Sequence, residues 1–188
     1  MKAAIPVPVL VVLLATSVIT ACELARSGPL ERDTVYVSTN LRIRERVHRE
    51  IGTIVPGSYF TYSATPTRDD SWRTALTFRH DALLGEGPRR TVRFVDGRTA
   101  FIHIGWVYAV TTDGGATWHH WDAARDLPGW GPCCNYGLID SVALRKDGNG
   151  EMYLSLIENP RGIRPLLTTR DYGVDWVWAD PLDGRRVR

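Results

Sequence analysis

The most distinctive candidate chemistry in this sequence comes from two adjacent cysteines. Cys133 and Cys134 follow one another directly, and an adjacent histidine pair, His119 and His120, lies shortly before them. Because consecutive Cα atoms are only about 3.8 Å apart, a bond between the two sulfurs would close a strained and easily reduced ring. The residues leave four states open: a vicinal disulfide, two unpaired buried thiols, intermolecular disulfides, and a zinc site shared with the histidines. We favour the vicinal disulfide and predict no bound metal, because neither pair has the internal spacing usual for zinc ligands.

The rest of the sequence offers no familiar catalytic pattern. No histidine stands in an H-E-x-x-H pattern and no serine in a G-x-S-x-G pattern. His103 lies in an apolar run and is predicted to be a core or edge residue with satisfied hydrogen bonds rather than a catalytic base. Residues 146–151 lack the ligand count of a calcium-binding EF-hand and predict a plain turn. We therefore expect a protein that is not an enzyme and that carries no cofactor.

The N-terminus has the pattern of an export signal. Met1 and Lys2 give a positive start, and residues 3–19 are apolar apart from one threonine and one serine. Residues 19–22 read I-T-A-C, which resembles a bacterial lipobox. By this resemblance the chain is cleaved before Cys22, which is then acylated on its thiol and amine, and several acyl chains give a stable anchor. An uncleaved anchor and ordinary secretion are the alternatives. Glu23 is not the aspartate that retains enteric lipoproteins in the inner membrane, so we expect the outer membrane, facing the periplasm.

The remaining chain has the size of one domain. Removing 21 signal residues from 188 leaves 167, enough to bury a core without metal or disulfide help. We predict a lipidated tether over residues 22–32, a β domain over 33–181 and a basic tail over 182–188. The formal net charge is only +2, so we expect no nucleic-acid partner.

The body of the chain has strand character. Short runs of β-branched and aromatic residues alternate with turn residues, and D-G at 96–97 and K-D-G-N-G at 146–150 indicate hairpins. Residues 40–51 fit both a strand and a helical stripe, and we favour the strand, whereas residues 119–127 predict a short helix. The expected fold is all-β, built mainly of antiparallel hairpins arranged like a propeller fragment or a sandwich, with at most one or two short helices.

One loop motif occurs twice. The pattern [ST]-x-D-x-G-x-x-W fits two segments whose aspartates are 58 residues apart. The positions that the pattern specifies are Thr111, Asp113, Gly115 and Trp118 in the first copy, and Thr169, Asp171, Gly173 and Trp176 in the second. The carboxylate can accept hydrogen bonds from turn amides, the glycine permits positive φ, and the tryptophan can pack over the hairpin. Two copies predict two similar hairpins, and residues 35–40 are a candidate degenerate third copy.

The repeated motif resembles the Asp-box, also called the BNR-like motif, of sialidases and other β-propellers. In those proteins the box is structural and lies away from the active site. The 167 residues allow at most about four blades of roughly 40–45 residues each, fewer than the six-bladed sialidase propeller. The resemblance therefore implies hairpin structure and does not imply sialidase activity.

Two local clusters of side chains are candidates for contact with a partner. The densest basic run contains Arg42, Arg44, Arg46 and Arg49. It predicts either a solvated face or contact with an acidic protein. The second cluster is aromatic, and from it we select Trp121, Trp130 and Tyr136 as a candidate partner surface, since protein interfaces favour exposed aromatic and arginine side chains. Core packing is the favoured interpretation for the aromatic cluster, and a contact surface at these three residues is the alternative.

The order of these features resembles small lipoproteins that act as immunity proteins to type VI secretion lipase effectors. The resemblance covers roughly residues 33–178 and depends on the lipobox, the two Asp-box segments, the C-N-Y-G-L-I run at 134–139 and the hairpin at 147–150. It implies a periplasm-facing protein that binds and neutralises a phospholipase toxin. No residue role is transferred by it. The alternative function is an envelope lipoprotein that binds glycan or protein and has no role against toxins.

Overall fold

The computed structural model describes residues 27–51, 57–81, 88–126, 137–156 and 165–179. These residues form twelve strands and one helical turn. The strands are β1 (Ser27–Val37), β2 (Leu41–Glu50), β3 (Gly57–Pro66), β4 (Arg73–Asp81), β5 (Arg90–Phe94), β6 (Ala100–Ile104), β7 (Val107–Thr111), β8 (His119–Asp122), β9 (Gly137–Leu144), β10 (Gly150–Leu156), β11 (Leu166–Thr169) and β12 (Val177–Trp178). The helical turn is α1 (Ala123–Asp126). Within the described ranges no helix has the length and apolar character needed to cross a bilayer.

The strands form three four-stranded antiparallel sheets, each made of strands consecutive in the sequence. The first sheet is β1-β2-β3-β4, the second β5-β6-β7-β8 and the third β9-β10-β11-β12. Every neighbouring pair is antiparallel, and four-stranded sheets of this kind are the repeating unit of β-propellers. The predicted all-β class is confirmed.

The first sheet has one buried and one solvated face, and β2 shows why. Leu41, Ile43 and Val47 alternate along β2 and are at most 4% exposed, whereas the arginines between them point to the other face. A period of two in hydrophobicity thus selects a strand here, as the sequence predicted, and directs its apolar residues onto the second sheet.

The second sheet is the middle layer and is covered on both faces. In β6 every residue is buried. Ala100, Ile102 and Ile104 belong to the core shared with the first sheet, and Phe101 belongs to the core shared with the third. A strand buried on both faces carries no polar alternation, which explains the continuous apolar run in its sequence.

The second core lies between the middle and third sheets. Tyr108, Val110 and Trp121 from the second sheet pack there against Met152, Leu154 and Leu167 of the third sheet. The turn between β6 and β7 also approaches both neighbours. A Cβ on Gly105, whose φ is +58°, would lie 2.6 Å from the Phe78 ring, and the Gly105 carbonyl accepts from the N–H of Ile139 at 2.8 Å. Glycine is therefore required where the three layers meet.

Two local predictions need correction. Residues 27–32 were predicted to be part of the tether, but they lie in β1, whose pairing with β2 runs from Ser27 opposite Glu50. Pro29 is compatible with this strand because β1 is at the edge of its sheet, where one side needs no N–H donors. Residues 119–122 were predicted to be helical, but they form β8 beside β7, and only the turn α1 follows.

Candidate functional site

The first Asp-box loop connects β7 and β8 and is held by one carboxylate and one hydroxyl. Asp113 accepts from the Thr111 hydroxyl at 2.8 Å, the Thr117 N–H at 3.0 Å and the Thr117 hydroxyl at 2.6 Å. The Thr111 hydroxyl in turn accepts from the N–H of Gly115 at 2.9 Å. Partial burial alone would raise the pKa of Asp113, but hydrogen bonds from Thr117 and Thr111 outweigh it and lower the pKa to about 2.

The second Asp-box loop connects β11 and β12 with the same bonds, except that Asp175 replaces Thr117 and provides no hydroxyl donor. Asp171 accepts from the Thr169 hydroxyl at 2.6 Å and from the Asp175 N–H at 3.1 Å, and the Thr169 hydroxyl accepts from the N–H of Gly173 at 2.9 Å. Tyr172 has a φ of +64°, a conformation rare for a side-chain-bearing residue, and its hydroxyl donates to the Lys146 carbonyl at 2.8 Å. The two segments therefore share a geometry as well as a sequence pattern.

Each Asp-box loop packs onto the preceding sheet. A Cβ on Gly115 would lie 2.8 Å from Leu41 of the first sheet, and a Cβ on Gly173 would lie 2.6 Å from the Tyr108 hydroxyl of the second sheet. Trp118 packs against the first core and Trp176 lies within the second. These contacts stabilise the layers, and the geometry supports a structural role.

The segment of residues 35–40 is not a third box. It forms the end of β1 and the turn into β2, whereas both boxes follow the third strand of their sheet. The equivalent loop of the first sheet joins β3 and β4. There Asp69 accepts from the N–H and hydroxyl of Ser71 at 3.0 and 2.5 Å, which is a shorter and simpler turn.

The predicted aromatic partner surface is not supported at Trp121. This residue is 4% exposed and packs in the second core, because its position on β8 faces the third sheet. The core-packing interpretation is confirmed for Trp121, and its selection as a contact residue is wrong. Trp130 and Tyr136 lie outside the described residues, and so do the lipidation site Cys22 and the pair Cys133 and Cys134. The state of the two cysteines remains a prediction, and among the described residues no group of three metal-ligating side chains occurs.

Glu45 is a buried acid on β2. It is 1% exposed, and its carboxylate accepts from the hydroxyls of Tyr36 and Tyr62 at 3.3 and 3.2 Å. Its other oxygen lies 3.2 Å from Nε of Arg90 on β5 and 3.7 Å from Arg32. Burial and the charge of Glu45 raise the pKa of Tyr62, so this hydroxyl stays a donor. The network ties the first sheet to the second and is closed to a substrate.

His103 is buried in the middle sheet, as its apolar surroundings predicted. It is 3% exposed, but its Nδ1 has no hydrogen-bond partner within the described part of the chain, so the expectation that its hydrogen bonds are satisfied is wrong at this atom. Burial, reinforced by the positive charge of Arg93, lowers the pKa of His103 to about 4 from the ordinary 6.5. The imidazole is therefore neutral at pH 7 and behaves as a core residue.

We expect His103 to make the fold sensitive to mild acid. As pH falls, the unfolded chain takes up this proton near pH 6.5 and the folded chain only near pH 4, so stability decreases across that interval. The loss is about 3 kcal/mol between pH 7 and pH 4. Urea unfolding at several pH values should show this slope in the wild type and a shallower one in His103→Leu. Equal slopes in both proteins would contradict the assignment.

The outer face of the first sheet carries an aligned set of arginines. We call the following residues the arginine face: Arg42, Arg44 and Arg46 of β2, Val35 and Val37 of β1, and Trp72 in the loop before β4. Val35 lies opposite Arg44 and Val37 opposite Arg42 in the β1–β2 register, so these side chains share one surface. The two valines are 46% and 62% exposed, which is unusual for β-branched apolar residues beside each other on one strand.

Ion pairs and an aromatic ring fix the arginine face. The guanidinium carbons of Arg42 and Arg44 lie 5.3 and 5.7 Å from the centroid of the Trp72 ring. Arg42 pairs with Asp70 at 2.7 Å, and Arg44 pairs with both carboxylate oxygens of Asp33. The hydrogen bond from Arg44, stronger than the effect of burial, lowers the pKa of Asp33. The arginines thus occupy defined positions in the free protein.

A shallow polar groove lies between β8, α1 and the second Asp-box loop. It has a volume of about 290 Å³ and is lined by His120, Arg125, Asp126 and Asp175, among others. Several of its polar groups already have partners: Arg125 donates to Asp126 at 2.6 and 2.7 Å, and Nε2 of His120 lies 2.6 Å from the Ala75 carbonyl. The groove offers few free polar groups for a ligand.

Sequence patterns identified only half of the arginine face. The basic run on β2 was visible, but Trp72, Val35 and Val37 come from other segments and join it only through strand pairing. The alternation of β2 was the available signal that Arg42, Arg44 and Arg46 share one face. No family model, curated protein or solved structure matches this chain, so its site is interpreted from its own geometry.

Proposed function

We propose that this chain is a bacterial lipoprotein, anchored to the outer membrane and facing the periplasm, that binds and neutralises a protein toxin. The toxin is a phospholipase effector of type VI secretion. The proposal combines the I-T-A-C segment at residues 19–22 with the resemblance to lipase-immunity lipoproteins. Under this proposal the protein is an inhibitor and not an enzyme.

The observation that carries the binding function is the arginine face. Arginine and tryptophan are the side chains that most often dominate protein-binding energy, and here two arginines stack on Trp72 beside two exposed valines. The three packed sheets behind this face, with their two cores, support its side chains in one arrangement, which limits the entropy lost on binding. An envelope-binding function based on the aromatic cluster is less supported, since Trp121 is buried.

The position of the anchor fits an inhibitor of a membrane-active toxin. The start of β1 at Ser27 is five positions after Cys22, with four residues between them, and five extended residue steps span about 17 Å. Lipidation at Cys22 would hold the first sheet near the bilayer, where a phospholipase meets its substrate.

Lipidation is testable at one residue. We expect Cys22→Ala to abolish incorporation of labelled palmitate and to release the chain from the membrane fraction, because the acylated thiol is lost. Metabolic labelling followed by fractionation measures both effects, with Cys133→Ala as the matched cysteine control. Continued labelling of Cys22→Ala would exclude this anchor.

Protection of cells tests the function itself. The full chain should restore growth when a lipase-like effector encoded beside its gene is directed to the periplasm. An empty vector and the Cys22→Ala chain are the controls. Absence of such a toxin gene, or growth arrest despite the full chain, would overturn the proposed function.

A further inference from the structure

We propose that the arginine face is the docking site for an acidic surface of the protein partner. Carboxylates of the partner bind the guanidinium groups of Arg42, Arg44 and Arg46, and an apolar side chain beside them packs on Val35 and Val37. The inference rests on the proposed function in one respect, since it takes the toxin to be the partner that carries this acidic surface.

The first argument is that the arginines have unused N–H donors. Arg44 donates hydrogen bonds to Asp33 from its Nε and from one terminal nitrogen. The same carboxylate lies 3.6 Å from Nε of Arg46, whose side chain is 46% exposed. The Asp33 carboxylate is thus shared by the guanidinium groups of Arg44 and Arg46, each of which has five N–H donors. Donors remain for a second carboxylate, and arginine binds carboxylates well because two parallel hydrogen bonds form.

The second argument is preorganisation. Trp72 covers Arg42 and Arg44, and Arg42 is further held by Asp70 and by the main-chain carbonyl of Asp69. Side chains fixed before binding lose less conformational entropy when the complex forms. Arginines on alternate positions of a strand are also about 6.7 Å apart, a spacing that carboxylates on an extended partner segment can match.

The third argument is the apolar neighbours. Val35 and Val37 lie on the edge strand β1, directly opposite Arg44 and Arg42. A purely solvated basic face does not need exposed valines, whereas protein interfaces combine apolar centres with arginine. The two valines and the three arginines together form one surface that is partly apolar and partly charged.

The acidic residues on this surface favour a protein over an anionic membrane. Asp33, Asp69 and Asp70 lie among or beside the arginines, and the Asp70 side chain is 90% exposed. A continuous layer of anionic headgroups would meet these carboxylates as well as the arginines. A folded partner can place its own carboxylates on the arginines alone, which is the charge complementarity that gives interfaces their specificity.

A defined acidic probe tests the charge recognition directly. The full chain, purified in detergent, is titrated with a polyglutamate peptide at low salt, and binding is followed by the NMR signal of the Trp72 indole. We expect Arg42→Gln/Arg44→Gln to weaken binding at least tenfold, and Arg46→Glu to weaken it several-fold with every ion pair of Arg42 and Arg44 kept. Added salt should weaken binding in the wild type. The matched control is Arg145→Gln/Arg170→Gln, which removes the same charge from exposed sites elsewhere.

The same variants in the protection assay separate this inference from the proposed function. Loss of protection by both arginine-face variants, with protection kept by the control variant, supports the docking site. Protection by all variants overturns the docking site and leaves the immunity function standing. If the wild type does not protect, the proposed function falls, and the polyglutamate titration alone decides whether the face recognises carboxylates.

Besides protection by all variants, three results of the binding and sedimentation measurements would overturn the docking site. One is equal polyglutamate affinity in the wild type and in Arg46→Glu. The second is tighter binding of a water-soluble short-chain phosphatidylglycerol than of polyglutamate at the Trp72 signal, which would assign the face to lipid headgroups. The third is a dimer in sedimentation that Arg46→Glu dissociates, which would assign the face to a second copy of the chain.

Discussion

Replacing Trp176 by alanine is expected to lower the free energy of unfolding by about 3–5 kcal/mol. The indole is 7% exposed and meets the Tyr108 ring edge-on, with ring centroids 5.5 Å apart. Tyr108 belongs to the middle sheet and Trp176 to the loop of the third, so the substitution opens a cavity between two layers. The second Asp-box would keep its hydrogen bonds but lose its contact with the neighbouring sheet.

Equilibrium unfolding in urea measures this effect. Trp178→Ala is the matched control, because Trp178 is 37% exposed on the short edge strand β12. It should cost less than about 1 kcal/mol, as most exposed substitutions do. If the two alanine variants unfold at the same urea concentration, Trp176 does not join the layers in the way the structure shows.

The second large effect is expected at Glu45. Glu45→Ala should destabilise the fold by about 3–5 kcal/mol, because it leaves Arg90 and the buried hydroxyl of Tyr62 without their shared acceptor. Glu45→Gln should cost less, since the amide oxygen can still accept while the charge is lost. The network connects the first two sheets, so its loss weakens their packing.

Glu151→Ala is the control for the Glu45 variants. Glu151 pairs with Arg145 at 3.2 Å on the surface, where both side chains are partly exposed, and such pairs contribute about 0–1 kcal/mol. Thermal unfolding of the three variants beside the wild type gives the comparison. A Glu45→Ala protein as stable as Glu151→Ala would show that the buried network contributes nothing to the fold.

Local patterns in the sequence predicted most of the strands. D-G and K-D-G-N-G marked the hairpins joining β5 to β6 and β9 to β10, and in the second of them Gly148 has a φ of +85°. The strand β4 was missed, although Leu76, Phe78 and His80 alternate inward along it. Its polar positions are mostly threonine and arginine, which obscured the alternation.

Tertiary contacts decided the predictions that were wrong. Residues 119–122 have an ambiguous local pattern, and pairing with β7 makes them a strand. Gly28 and Pro29 are typical of a tether, but pairing with the main chain of β2 makes the chain a strand from Ser27 onward. Trp121 is not a contact residue, because the third sheet covers its side chain.

The candidate site was less predictable than the fold, for a physical reason. The basic run on β2 is local in the sequence, whereas Val35 and Trp72 reach it only through the order of strands in the first sheet. No single-sequence pattern states which strands will be neighbours. A prediction of the complete arginine face therefore requires the sheet register.

Inhibition of the toxin by the purified chain tests the central claim most directly. The full chain and the neighbouring lipase-like effector are mixed in phospholipid–detergent micelles, and fatty-acid release is measured as the chain is titrated. The account predicts that hydrolysis falls to the background rate at an equimolar ratio, and that Arg46→Glu shifts this titration to higher concentration. Undiminished hydrolysis in the presence of excess wild-type chain would contradict it.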